Sequence, residues 1–215
     1  FESENGVREV RCVGGLLGHW AVWTHTAVQY FHKLKAAADK GALTVDELTL
    51  AAQITDANGA YEGNVLATDE EIERELSAYV SREALHAVCA ELQASLTSRI
   101  GACYRGYVGV DMMICVVKKE NQKWNLYLHP CVEINLRMNM GVVAHIFNER
   151  YVASGCRGQF MVEYFPAPEA LKEAHRQRTE ESPLLLDSDG RIRQGYQPLT
   201  PIGRETQYLA WVLIS

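Results

Sequence analysis

Two periods run through the chain, one of two residues and one of three to four, and they predict strands and helices in turn. Val7 to Gly18, VREVRCVGGLLG, reads as a strand entering a glycine-rich turn. From Val22 to Lys40 the alanines and lysines near the end favour a helix, which Gly41 stops. Thr44-Val45-Asp46-Glu47 has the form of a capping box and opens a short predicted helix, TVDELTLAAQI. Asp56 to Asn64, DANGAYEGN, is a predicted loop dense in Gly, Asn and Asp. A second capping box, Thr68-Asp69-Glu70-Glu71, starts a helix through Ile72 and Leu76. Ser81 caps the next, in which Leu85, Val88, Leu92, Leu96 and Ile100 share one face and form predicted core.

From Cys103 onward the period shortens. GYVGVDMMICVVKK, WNLYLHP and CVEINLRMN read as three strands of an antiparallel meander, the first two joined by the polar turn KENQK. VVAHIFNERYVA returns to helix, GQFMVEYF is a strand, EALKEAHRQR an amphipathic helix, DSDGRIRQG a turn and TQYLAWVLI a closing strand. The expected organisation is α+β, an antiparallel sheet with helices packed on one side, in one compact domain over residues 1–215.

Composition narrows the function classes. The 215 residues are 47% hydrophobic and 22% charged, ordinary for a globular chain with a proper core. A net charge of -6 argues against a nucleic-acid surface, though not against a local basic pocket for a phosphorylated ligand. No stretch approaches the roughly 18 uninterrupted apolar residues of a membrane span. None of the six cysteines forms a CxxC pair, and they scatter through apolar segments as reduced buried thiols do, so the cytoplasm is the expected compartment. Phe1 opens the chain within a polar stretch, FESENGVREV, which reads as a domain cut from a longer protein.

The candidate chemistry sits in two strands. Asp111 interrupts the apolar run VGVDMMICVV, where an isolated carboxylate is costly to bury and hard to explain as packing. In PCVEINLRMN, side-chain alternation puts Glu133, Asn135 and Arg137 on one face of an extended strand. A carboxylate and an amide two residues apart are hard oxygen donors suited to magnesium, with Asp111 able to supply a third. Arg137 can pair with a phosphate or carboxylate through its planar fork. The same spacing also suits a half-exposed strand, with Glu133 and Asn135 solvated and Arg137 in a salt bridge.

GYxGVDMM followed by PCxEINxRxxMG resembles the carboxyl-terminal, metal-binding part of the ATP-grasp ligases. The upstream phrase GAYEGNVLAT is similar to a segment of bacterial members, and the best-matching core runs over residues 59–144. The resemblance implies an ATP-grasp-like carboxyl-terminal subdomain that binds ATP with Mg2+ or Mn2+ on Asp111, Glu133 and Asn135. Glu133 and Asn135 would face the nucleotide, and Arg105, by its place at the foot of the Asp111 strand rather than by the resemblance, is a candidate contact for its phosphate or for a carboxylate. Arg137 would contact the transferred phosphate or acyl-phosphate during ATP-dependent ligation of a small carboxylate to an amine or thiol. No adenine-hinge run or lysine-bearing glycine-rich lid precedes Asp111, so the expectation is that the amino-terminal subdomain is missing. A non-catalytic binding module that keeps the ATP-grasp shape is the alternative, and a homo-oligomer would suit the aromatic segment Gly18 to His32.

Other residues are weaker candidates. Gly59, Tyr61, Gly63 and Asn64 can line a substrate site, since glycine admits a close backbone approach, or can simply make a turn. Arg157, between Cys156 and Gly158, is a candidate for a substrate carboxylate. His19, His25 and His32 lack the i, i+4 spacing of zinc ligands on a helix.

Overall fold

The computed structural model describes residues 10–12, 27–36, 43–55, 61–118 and 124–215. In chain order the elements are β1 (Val10–Cys12), β2 (Ala27–Ala36), β3 (Leu43–Thr55), β4 (Tyr61–Leu66), α1 (Asp69–Leu76), α2 (Arg82–Ile100), β5 (Tyr107–Lys118) and β6 (Trp124–Asn135). They continue with α3 (Met140–Tyr151), β7 (Gly158–Tyr164), α4 (Pro168–Glu181), β8 (Leu185–Leu186), β9 (Ile192–Pro198) and β10 (Tyr208–Ile214). The architecture is α+β with antiparallel strand pairing, as expected. Two compact units divide it. The first comprises Phe1–Tyr61 and Asp69–Val142, the second Glu62–Thr68 and Val143–Ser215.

In the first unit β5 is the central strand. One of its edges pairs with β6, the other with β2 and β1, and β3 lies beyond β2. Strand alternation explains its apolar run: Val108, Val110, Met112 and Ile114 are all buried, so every second side chain enters the core. Helices α1 and α2 pack against β3, contributing Ile72, Leu76, Leu85, Cys89 and Leu96 to that interior. Ser81 caps α2 by accepting a hydrogen bond from the Ala84 amide at 3.2 Å. Of the predicted apolar stripe on α2, Leu85 and Leu96 are fully buried, while Val88, Leu92 and Ile100 are half-buried.

Four elements differ from expectation. Ala27–Ala36 of the predicted helix over 22–40, and the predicted helix TVDELTLAAQI, are the strands β2 and β3, paired with each other along nearly their whole length, while 22–26 and 37–40 lie outside the described residues. Their helix propensity, a few tenths of a kcal/mol per residue, loses to long-range pairing and burial. The presumed capping box dissolves into a bulge: Lys33 faces Glu47 and Leu34 faces Val45, leaving Asp46 between them. The predicted loop over 56–64 is also shorter, since Tyr61 to Asn64 belong to β4, while 56–60 lie outside the described residues. Finally, WNLYLHP and CVEIN are one strand, β6, so the expected three-strand meander is a β5–β6 hairpin.

In the second unit the strand order is β4-β7-β10-β9-β8, and α4 packs against β9. Its core joins Leu171 of α4 to Tyr196, Leu209 and Trp211 of the sheet. The Trp211 indole N–H donates to Glu163 Oε2 at 2.7 Å, and Arg178 grips the same carboxylate at 2.6 and 3.0 Å. The Arg178 guanidinium also lies 4.3 Å from the centre of the Trp211 ring. His175 Nδ1 and the Tyr196 hydroxyl share a 3.2 Å hydrogen bond, and burial pushes the Tyr196 phenol up while the Arg178 cation opposes it. The predicted turn over DSDGRIRQG is confined to its first half. Asp187 Oδ1 accepts from the amides of Asp189 and Arg191 at 2.9 and 2.8 Å, and β9 begins at Ile192.

Candidate metal–nucleotide site

The register of the β5–β6 hairpin decides which polar residues meet. With Val108, Val110, Met112 and Ile114 turned into the core, Gly109, Asp111 and Met113 take the opposite face of β5. From the hairpin end the partners run Lys118 with Trp124 through Met113 with His129, and on that count Asp111 would face Cys131. A bulge intervenes. Pro130, Cys131 and Val132 stand opposite the single residue Met112, and the next pair is Asp111 with Glu133. Proline is suited to this place because it has no N–H to give to the ladder. The slip is two residues, so facing is preserved and the partner changes. Gly109 then faces Asn135.

Residues directly opposite in an antiparallel pair have Cα atoms about 4.5–5.5 Å apart. Asp111 and Glu133 are therefore cross-strand neighbours, and Asn135 follows Glu133 on the same side, across from a residue without a side chain. Glu133 is exposed, Asp111 half-buried, and Asn135 only 8% exposed. Two carboxylates held opposite each other repel, a cost that a divalent cation between them would turn into attraction. The donor set is two carboxylates and an amide oxygen, which fits a magnesium ion that completes its shell with water and phosphate oxygens. Among the described residues no three His, Cys, Asp or Glu side chains cluster to hold a metal. A site built only from protein side chains of those types is thus not present there.

Arg137 is placed differently from expectation. β6 ends at Asn135, and Arg137 lies exposed in the bend that leads to α3, so strand alternation does not fix its direction. By the register it would stand level with Tyr107. Arg105, also exposed, precedes that tyrosine by two residues, so both arginines lie at the Asn135 end of the hairpin. The turn carrying Arg105 is held by the Tyr104 hydroxyl donating to the Tyr107 carbonyl at 2.8 Å, with Gly106 between them at φ +142°.

No protein-family model matches the chain, and no curated protein matches it. Among solved structures, it is similar to an N5-carboxyaminoimidazole synthase from Aspergillus clavatus, determined with ADP and 5-aminoimidazole ribonucleotide. Identity is 12% and the TM-score 0.33, over 88% of this chain and 47% of the other. The chain spans about half the length of that enzyme. No described helix is long and apolar enough to cross a membrane.

The weaker candidates separate from this set. Gly59 lies outside the described residues. Tyr61 opens β4 half-buried, and burial holds its phenol well above the usual range. Gly63, Asn64 and Arg157 belong to the second unit. Gly63 has a packing reason to be glycine: a Cβ there would stand 2.1 Å from the Phe160 carbonyl oxygen of the paired strand. Gly63→Ala is expected to lower the melting temperature by several degrees, with or without ligands, as thermal unfolding followed by circular dichroism would show. Asn64 is fully buried opposite Phe160. Arg157 is half-buried, and its carbonyl accepts from the Ser215 amide at 2.9 Å.

Two residues near the site escaped the sequence reading. Asn139 is buried and caps α3, its Oδ1 accepting from the Val142 amide at 3.1 Å. Asn three residues ahead of the apolar Val142-Val143 pair was the available signal. Cys131 shares the alternation of Glu133 and Asn135. Burial pushes its thiol up, and the charge of Asp111 adds to the shift, so the thiol stays protonated to higher pH than a free one. The nucleophile is the thiolate. At pH 8, maleimide labelling mapped by mass spectrometry is expected to modify exposed Cys103 well before Cys131.

Proposed function

We propose that this chain is the Mg–ATP-binding part of an ATP-dependent ligase that joins a small carboxylate to an amine or thiol through an acyl-phosphate. The observation that carries the reading is the β5–β6 register, which opposes Asp111 to Glu133 and seats Asn135 beside them. The motif resemblance of GYxGVDMM and PCxEINxRxxMG supports it independently. Asp111, Glu133 and Asn135 would hold magnesium, which when bound supplies positive charge to phosphate oxygens. Arg105 and Arg137, at the Asn135 end, would bind and orient phosphate or the activated carboxylate. Each brings a planar guanidinium whose paired N–H groups can hold two oxygens of a phosphate or carboxylate at once. Phosphoryl transfer asks the protein mainly for positioning and charge stabilisation, which suits a site whose ligands stand on a rigid hairpin. The remainder of the nucleotide clamp would come from an amino-terminal subdomain outside this chain, and the reduced cysteines suit the cytoplasm.

The test is calorimetric titration with Mn2+ and ADP, comparing the wild type with Glu133→Ala/Asn135→Ala. Binding by the wild type that the double variant loses is the expected result. Equal binding by both removes the site from the hairpin.

A second reading, an interaction module without catalysis, is favoured by the exposed apolar residues Val132, Ile134, Leu136 and Met138. It predicts no metal-dependent ADP formation from ATP by the intact protein under any amine and carboxylate pair.

A further inference from the structure

Among the described residues, β6 pairs with β5 alone, so its other edge has no strand partner there. A sheet edge presents backbone donors and acceptors that another strand can take up. The last stretch of this edge is unusually apolar for exposed chain. Val132, Ile134, Leu136 and Met138 are 55%, 45%, 46% and 51% exposed, while Glu133 and Arg137 between them are exposed charges. The order Val-Glu-Ile-Asn-Leu-Arg-Met is symmetric in character about Asn135. Apolar, charged and apolar positions mirror each other, and the mirrored charges have opposite sign.

That symmetry commits to one occupant. We infer that residues 132–138 pair antiparallel with the same segment of a second copy of this chain, about a two-fold axis at Asn135. In this register Glu133 faces the partner's Arg137, Ile134 faces the partner's Leu136, and Val132 faces the partner's Met138. Asn135 faces the partner's Asn135. Each contact occurs twice, as an isologous interface requires. Moving the axis to Ile134 sets Glu133 against the partner's Asn135 and pairs no charges. An axis between two residues sets charges against apolar side chains. Only the register about Asn135 satisfies both, and a buried amide at the axis is the kind of group that fixes register. Pairing extends β6 through the bend at Arg137, and no proline lies within 132–138 to prevent it. Glu133, Asn135 and Arg137 each serve both this contact and the nucleotide reading, so the two are tested separately, here without metal or nucleotide.

Sedimentation of the purified chain across the micromolar range is expected to show a monomer–dimer equilibrium. Glu133→Arg alone and Arg137→Glu alone each set like charges opposite one another at two places, and each should weaken the dimer about tenfold or more. Carrying both substitutions in one chain restores opposite charges and should restore the dimer. Mixing the two single variants should do the same through a heterodimer, and two misfolded variants would not recover on mixing. A wild type that stays monomeric throughout overturns the inference. So does a mixture or double variant that fails to regain the dimer the single variants lost. A wild type that stays monomeric leaves the Mn–ADP reading standing, and a wild type that dimerises without binding Mn–ADP leaves the dimer standing.

Discussion

Glu133→Ala is expected to weaken Mn–ADP binding by about a hundredfold or more while leaving the metal-free protein as stable as before, or slightly more so. The size of the binding loss follows from position. Groups one shell removed from a metal already change its affinity by about 10- to 100-fold, and Glu133 would be a direct ligand. The stability expectation follows from the same geometry read without the ion. Glu133 is exposed and stands opposite Asp111, so removing it deletes a like-charge pair and no buried contact. Surface substitutions of that kind usually move stability by less than about 0.5 kcal/mol. Binding that falls while stability holds or rises is the signature of a residue kept for a ligand. Calorimetric titration paired with urea unfolding of the same samples reads both. Equal affinity in the variant would remove Glu133 from the site. A parallel loss of stability would make it a structural residue instead.

Half of that site could be read from the sequence. The alternation that groups Glu133 with Asn135 is local, and any extended strand imposes it. The apolar run around Asp111 likewise announced a strand with its intervening positions in the core, as Val108, Val110, Met112 and Ile114 confirm. What joins the two strands is not local. The register depends on a two-residue slip at Pro130–Val132, and without it Asp111 would face Cys131. A proline between two strand-like runs could be taken as a strand boundary, and the three-strand meander came from that. The same limit explains β2 and β3. Val28, Tyr30 and Phe31 of β2 are β-favouring residue types, but Ala, Lys and Leu outweighed them locally. Pairing partners more than ten residues away settled the matter. Helices α2, α3 and α4 were legible because their period is written within one segment, and Ser81 marks the start of α2 as its cap.

In the second unit the largest expected loss is at Trp211: Trp211→Ala should cost about 4 kcal/mol of stability. Against the roughly 5–15 kcal/mol that holds a typical domain folded, that is a large share. Two effects add. The ring sits in the core with Leu171, Tyr196 and Leu209, so its removal opens a cavity. Its N–H also holds Glu163, and its face carries Arg178, so the carboxylate and the guanidinium both lose a partner. Trp211→Phe separates the terms. It keeps an aromatic ring under Arg178 and removes the donor, and should cost about 1.5–3 kcal/mol, the range for a hydrogen bond to a charged group. The surface network on α4 provides the contrast. Arg176 contacts Glu173 and Glu180 at 2.6 and 2.7 Å, yet all three side chains are more than half exposed, so Arg176→Ala should leave the unfolding midpoint nearly unchanged. Urea unfolding of the three variants, followed by circular dichroism, ranks them. Combining Trp211→Phe with Glu163→Ala should then cost less than the sum of the two, because both remove the same bond. Strict additivity would show that the indole and the carboxylate act independently, and that packing alone makes Trp211 important.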